Sequence, residues 1–198
     1  MLIETQYLPP LAVFVTMKSY SQVLIDTEEP FKKSSLRNRC KILGANGVIL
    51  LTIPVAGGRN VRAINKDVRI DYSSPWQRIH WGSIFSAYGK SPFFLFYKDL
   101  FAPFYEKRFD FLIDFNFTML ETCCAIFSLK PLLRQVNPTT LLTIHEAKDL
   151  RNREWDDADQ PRYHQVFEEQ HGYVPGLGVI DAIFNVGADA LYLKNSPG

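Results

Sequence analysis

The chain has 198 residues, 46% apolar and 14% aromatic, enough for one large domain with a real core and far from the composition of a disordered chain. Twenty-two basic against 21 acidic side chains leave a net charge of +1, so no global field recruits nucleic acid or an anionic membrane, and any anion site must be local. Three cysteines, Cys40, Cys123 and Cys124, form an odd set without CxxC spacing, which excludes a disulfide framework and gives no zinc site. The opening MLIETQYLPP lacks a basic leader region, and no apolar run approaches the roughly 20 residues of a bilayer span. A reduced, cytoplasmic protein of one domain, residues 1–198, is the expectation.

In chain order, the residues up to Asp26 suggest a strand, helix, strand passage: an extended stretch Tyr7 to Pro10, the apolar Leu11 to Val15, then Val23 to Asp26. Lys32, Lys33, Arg37 and Arg39 fall within eight positions, the densest basic patch of the chain. Lys41 to Leu43 and Val48 to Val55 around Asn46-Gly47 predict a hairpin, and Val61 to Ile70 a further strand after a loop at Ala56 to Asn60. Ser74-Pro75 with Gln77 predicts a capping-box helix start and Gly89 its stop, with Trp76, His80, Ile84 and Tyr88 on one line of the helix and Gln77, Trp81 and Phe85 on the next. Gly82 inside it marks either a close backbone approach or a tolerated cost. Pro92 to about Arg108 reads as a second helix, kinked or split at Pro103. Asn116 is placed as the cap of a third, Phe117 to Ser128. Leu141 to Ile144 reads as a strand, and the charged His145 to Asp159 as a solvated helix or loop. Tyr163 to Gln170 and Leu177 to Val186 read as short helices, with Gly187 ending the second. The fold expected is α/β or α+β: a strand-rich amino-terminal half with a small sheet, and an aromatic helical bundle packed on it.

No P-loop, strand-bounded GxGxxG, HExxH or GxSxG occurs, and the four histidines are scattered away from the cysteines, so no metal and no cofactor is expected. His80 shares a helix face with Tyr88 and neighbours Trp76 and Trp81, which makes it the leading acid–base candidate; an imidazole among aromatics is more often a core residue. Lys33, Arg37, Asn38 and Arg39 suit a phosphate, since guanidinium forks grip it bidentately and an amide adds a donor; a solvated face paired to Glu28 and Glu29 is the commoner outcome. Asp181 lies inside an apolar run, where a carboxylate must be paired: it could hold Arg37, Arg39 or Arg151, or orient His80. Tyr163, Gln165 and the Asp149-Leu150-Arg151 run complete the polar candidates.

Together YLPPLAVF, SSLRNRCKILGANGVILLTIPV, DYSSPWQRIHWGSIFSAYGKSPFFLFYKD, DLRN and YHQVFEEQHGYVPGLGVIDAIFNVG resemble the WbqC-like family over almost the whole chain. That resemblance implies a role in bacterial O-antigen and surface polysaccharide biosynthesis, with transfer of a small acyl or aminoacyl group, glycyl among them, onto a nucleotide-activated sugar. Gly178 stands where the family often has serine, so no hydroxyl role is carried over there. The residues that match its motifs are Arg37, Asn38, Arg39, Trp76, His80, Trp81, Tyr88, Tyr163, Gln165 and Asp181. The expected reading has His80, Asp181 and Tyr88 as the catalytic set and Lys33, Arg37, Asn38, Arg39, Trp76, Trp81, Tyr163 and Gln165 as substrate-binding. The rival expectation is a non-catalytic assembly protein of the same biosynthetic system.

Overall fold

Val23, Leu24 and Ile25 are apolar and buried on both faces, the signature of a strand inside a parallel layer. They form β2 (Gln22–Asp26), which in the computed structural model lies between β1 (Leu2–Ile3) and β5 (Leu132–Val136), parallel to both, in the order β1-β2-β5. The structure describes residues 1–57, 62–142, 144, 147–155 and 161–193. The connection from β1 to β2 carries α1 (Leu11–Met17), which has five buried residues and opens after Pro10. The predicted hairpin is present as β3 (Arg39–Gly44) and β4 (Gly47–Thr52), antiparallel, with Gly47 at φ 108° turning the chain.

Three longer helices supply the aromatic layer: α2 (Trp76–Tyr88), α3 (Phe94–Glu106) and α4 (Leu112–Ile126). Their rings interlock edge to face, Phe115 against Trp76, Phe104 and Phe109, and Phe184 of α7 (Val179–Val186) against Phe94 and Phe101. One buried cluster joins these rings to Tyr7, Phe14, Ile25, Ile42 and Ile53, so helices and strands share a core. The architecture is mixed α/β, with the strands mainly amino-terminal and the aromatic helices packed on them.

Several local expectations shift. The α2 amino end carries no side-chain cap; Gln77 instead donates its amide to the carbonyls of Phe104 and Lys107, tying α2 to the end of α3. Helix α3 runs through Pro103 without dividing. Helix α4 begins four residues before Asn116, with Asp114 in its first turn, and leaves Asn116 in the interior, where its Nδ2 donates to the Arg37 carbonyl at 2.8 Å. Among the described residues of 61–70 there is a 3₁₀ turn at Asn65–Asp67 rather than a strand, because the Asn65 amide is drawn into the core toward Glu29. Leu141 belongs to α5 (Pro138–Leu142), started by the Asn137 side chain accepting from the Thr140 N–H. Of the helix expected over Tyr163 to Gln170, only α6 (Glu168–His171) forms. Of the charged segment, residues 145, 146 and 156–159 lie outside the described residues; what is described is non-helical and stitched inward, with Asp149 bridging Leu2 and Leu150 buried.

Candidate functional site

The segment from Glu4 to Gln6 is polar yet buried, and the reason is a network beneath it. The Arg37 guanidinium, 1% exposed, grips Glu29 through Nε and Nη2 at 3.1 and 2.6 Å; the same carboxylate oxygen takes the Asn65 amide at 2.8 Å. Arg37 Nη2 also reaches Asn152 Oδ1 at 3.3 Å, and the Asn152 N–H donates to Glu4 Oε2 at 2.8 Å. Gln6 donates to Glu4 Oε1, and Arg151 clamps Asp26 at 2.6 Å while pairing with Asp149. The 149–152 turn is thus bolted to β1, β2 and the 35–39 loop by charge-assisted bonds.

Above this network opens a cavity of about 620 Å³. Ser34, Ser35 and Arg37 form part of its wall, Arg39 and Lys41 of β3 another, and Asn152 to Trp155 a third, with Glu4 and Leu8 from the amino-terminal segment. Four described non-glycine residues have left-handed backbones, and three of them, Leu8 (φ 46°), Ser34 (φ 62°) and Asn152 (φ 59°), line this one cavity. Such conformations cost on the order of 1–3 kcal/mol each and cluster where function constrains the chain. Arg39 and Lys41 have no acidic partner within ion-pair distance among the described residues. Gly178 sits in the wall with its N–H on the Lys41 carbonyl; a Cβ there would come within 3.0 Å of the Leu8 carbonyl, which is why serine does not fit without a shift.

The predicted residues divide between this cavity and two sealed polar clusters. Arg37 and Arg39 line the cavity, with Arg37 already neutralised by Glu29. Asn38 is buried just beneath, its amide donating to Ile53 and its Oδ1 accepting from Ser34; Lys33 is exposed on the same loop. His80, 4% exposed, is not in the cavity wall. Its ring meets Trp76 edge-on at 5.1 Å, and Nδ1 lies 3.0 Å from the Tyr7 hydroxyl. Burial pushes its pKa down to about 4, against a smaller upward pull from Thr52. The Tyr7 hydroxyl thus lies between His80 Nδ1 and the Tyr105 hydroxyl, 2.9 Å away, in one buried polar chain. Trp81 stacks on Tyr105 at 5.4 Å, completing this cluster.

Asp181, 1% exposed, is the centre of the second cluster. Burial raises its pKa to about 6, opposed by hydrogen bonding from Tyr88, Tyr163, Asn185 and Gln165, while its Oδ2 is left without a partner. The same burial holds the Tyr88 and Tyr163 phenols well above the ordinary tyrosine range. Tyr88 accepts the Leu43 N–H, and Gln165 both donates to and accepts from Val174 at 2.8 Å, closing the 165–174 loop. Asp181 therefore pairs with none of the arginines proposed for it: Arg37 goes to Glu29, Arg151 to Asp26 and Asp149. Sequence reasoning missed Glu4, Leu8, Asn152 and Trp155. The one available signal was the polar run Glu4 to Gln6 enclosed between the apolar Met1 to Ile3 and the Tyr7-Leu8 pair.

Among the described residues no group of three or more His, Cys, Asp or Glu could hold a metal ion, and no helix is long and apolar enough to cross a membrane. No solved structure matches the chain. A mycobacterial protein, "Uncharacterized protein Rv1507c" of Mycobacterium tuberculosis (strain ATCC 25618 / H37Rv), is 21% identical over 218 aligned residues that cover 96% of this chain and 94% of that protein. The sequence profile of the WbqC-like protein family matches residues 5–152, a span holding the Arg37–Glu29 network, the hairpin and the three aromatic helices, and the chain belongs to that family.

Proposed function

We propose that the protein is a transferase of bacterial surface polysaccharide biosynthesis that holds the phosphate end of a nucleotide-activated sugar in the 620 Å³ cavity and moves a small acyl or aminoacyl group, such as glycyl, onto the sugar. The observation that carries this reading is the pair Arg39 and Lys41, cations on the cavity wall with no acidic partner among the described residues. Ser34 adds a hydroxyl, and Lys33, exposed on the same loop, adds charge along the approach, while the Ser35 hydroxyl is given to the Lys32 carbonyl and braces the loop. Arg37 and Asn38 hold that loop in shape from below. His80, Trp76 and Trp81 act as positioning residues through Tyr7, which precedes the left-handed Leu8 in the wall. Asp181, Tyr88, Tyr163 and Gln165 position β3 and the loop that ends at Gly176.

Thermal unfolding with uridine diphosphate and a panel of nucleotide sugars tests the assignment. A ligand at a hundred times its Kd stabilises by about 2.7 kcal/mol, a rise of roughly 5–10 °C for a chain of this size. The rise should vanish in Arg39→Met, whose own melting point stays close to wild type because no ion pair among the described residues is lost. An unchanged ligand response in that variant would sink the proposal.

A second reading has one observation in its favour. Helices α2 and α3 expose Ile79, Phe85, Leu95, Phe96 and Leu100, an apolar surface suited to assembly with another protein. Co-sedimentation with another enzyme of the same biosynthetic system by wild type, and not by Leu95→Glu, would support an assembly role; identical co-sedimentation of the two would remove this face from it.

A further inference from the structure

Glu4 is 2% exposed and lines the cavity, yet no cation lies within ion-pair distance of it among the described residues. Its two oxygens each accept one bond from a neutral donor, Gln6 Nε2 at 3.1 Å and the Asn152 N–H at 2.8 Å. An ionised carboxyl has about four acceptor positions, so half of its capacity is unused. A buried carboxylate without a countercharge is costly, and proteins retain one where something else brings the positive charge. The other cations on the cavity do not supply it. Arg37 is committed to Glu29, the Arg153 guanidinium lies over the Trp155 ring at 4.8 Å, and Arg39 and Lys41 on β3 have no ion-pair partner among the described residues, Glu4 included. Glu154, the other acid of the wall, is exposed.

Among the described residues the cavity therefore carries unpaired charges of both signs. The geometry points to a ligand that carries both signs too: we infer that Glu4 receives a protonated primary amine on the same molecule whose phosphate is held by Arg39 and Lys41. This rests on the phosphate assignment above and narrows it from any activated sugar to an amino sugar phosphate with its amine free. A neutral hydroxyl at that point would leave Glu4 uncompensated, and an N-acylated amine would present a bulkier group that cannot carry charge.

Isothermal titration calorimetry on the full chain near pH 7 decides the matter with three probes that share a phosphate: glucosamine 1-phosphate, N-acetylglucosamine 1-phosphate and glucose 1-phosphate. A charged hydrogen bond supports a preference of about 10- to 100-fold for the free amine over the other two. Glu4→Gln, which keeps the shape and one acceptor, should erase that preference; Arg39→Met should weaken all three together. Equal affinities in the wild-type protein overturn the amine assignment and leave the phosphate site standing, and so does a preference that survives in folded Glu4→Gln. If Glu4→Gln fails to fold, the wild-type ranking of the three probes decides alone. Failure of all three to bind overturns the phosphate reading and this one with it.

Discussion

Replacing Arg37 by methionine separates a structural cation from a ligand-binding one. The residue is 1% exposed, and its side chain makes two bonds to Glu29, one to Asn152 and a longer one to the Ser35 hydroxyl, so its loss strands a carboxylate that retains only the Asn65 amide among the described residues. Removing one partner of a buried pair costs about 3–5 kcal/mol, because the remaining charge is left without compensation. For a chain of this length, each kcal/mol lowers Tm by roughly 2–4 °C, so a fall of about 6–20 °C is expected. Urea unfolding followed by circular dichroism measures it directly as a reduced midpoint at constant slope. The double replacement Arg37→Met with Glu29→Met should recover most of the loss, since no charge is then stranded. A single variant that unfolds within about 1 kcal/mol of wild type, yet no longer binds ligand, would refute this reasoning and return Arg37 to the ligand.

Further predictions concern protons and packing. His80, with its pKa down at about 4, contributes stability that is complete above pH 6.5 and is lost as pH falls toward 4; Asp181, raised to about 6, contributes stability that is complete below pH 3.8 and is lost as pH rises toward 6. Each amounts to about 3 kcal/mol, so the two slopes oppose one another and the wild-type protein should show a shallow pH profile between 4 and 6. Asp181→Asn should expose the histidine slope as a steep loss of stability below pH 6.5, and a profile as shallow as wild type would contradict it. Gly82→Ala should stabilise α2 by about 1 kcal/mol, because a Cβ there meets nothing within 4 Å; a lower urea midpoint would show that the backbone is approached after all. Gly178→Ala should destabilise by about 1–3 kcal/mol through its contact with the Leu8 carbonyl, and unchanged stability would mean that the wall yields freely.

The parts of the fold legible in the sequence were those governed by local rules. Asn46-Gly47 announced the hairpin, the spacing of Trp76, His80, Ile84 and Tyr88 announced α2, and the glycine at position 187 ended α7 in a left-handed turn. What escaped was decided at long range. Asn116 looks like a cap until Arg37 offers it a carbonyl 79 residues away, and Asn65 leaves a strand for the same kind of reason. β5 has no alternating pattern and becomes a strand only because β2 has an open edge. The cavity was half legible: the basic run gave Arg39, whereas Glu4, Asn152 and Trp155 come from segments about 150 residues apart whose adjacency no spacing can express.

The three left-handed residues around the cavity also bear on any attempt to change what it accepts. At Leu8, Ser34 and Asn152 the backbone tolerates glycine, asparagine or aspartate and resists β-branched side chains, whatever room the cavity offers. Laboratory diversification aimed at new specificity would therefore lose most of its library members at those three positions, and would search more productively at Ser35, Lys41 and Glu154, where the chain imposes no such filter.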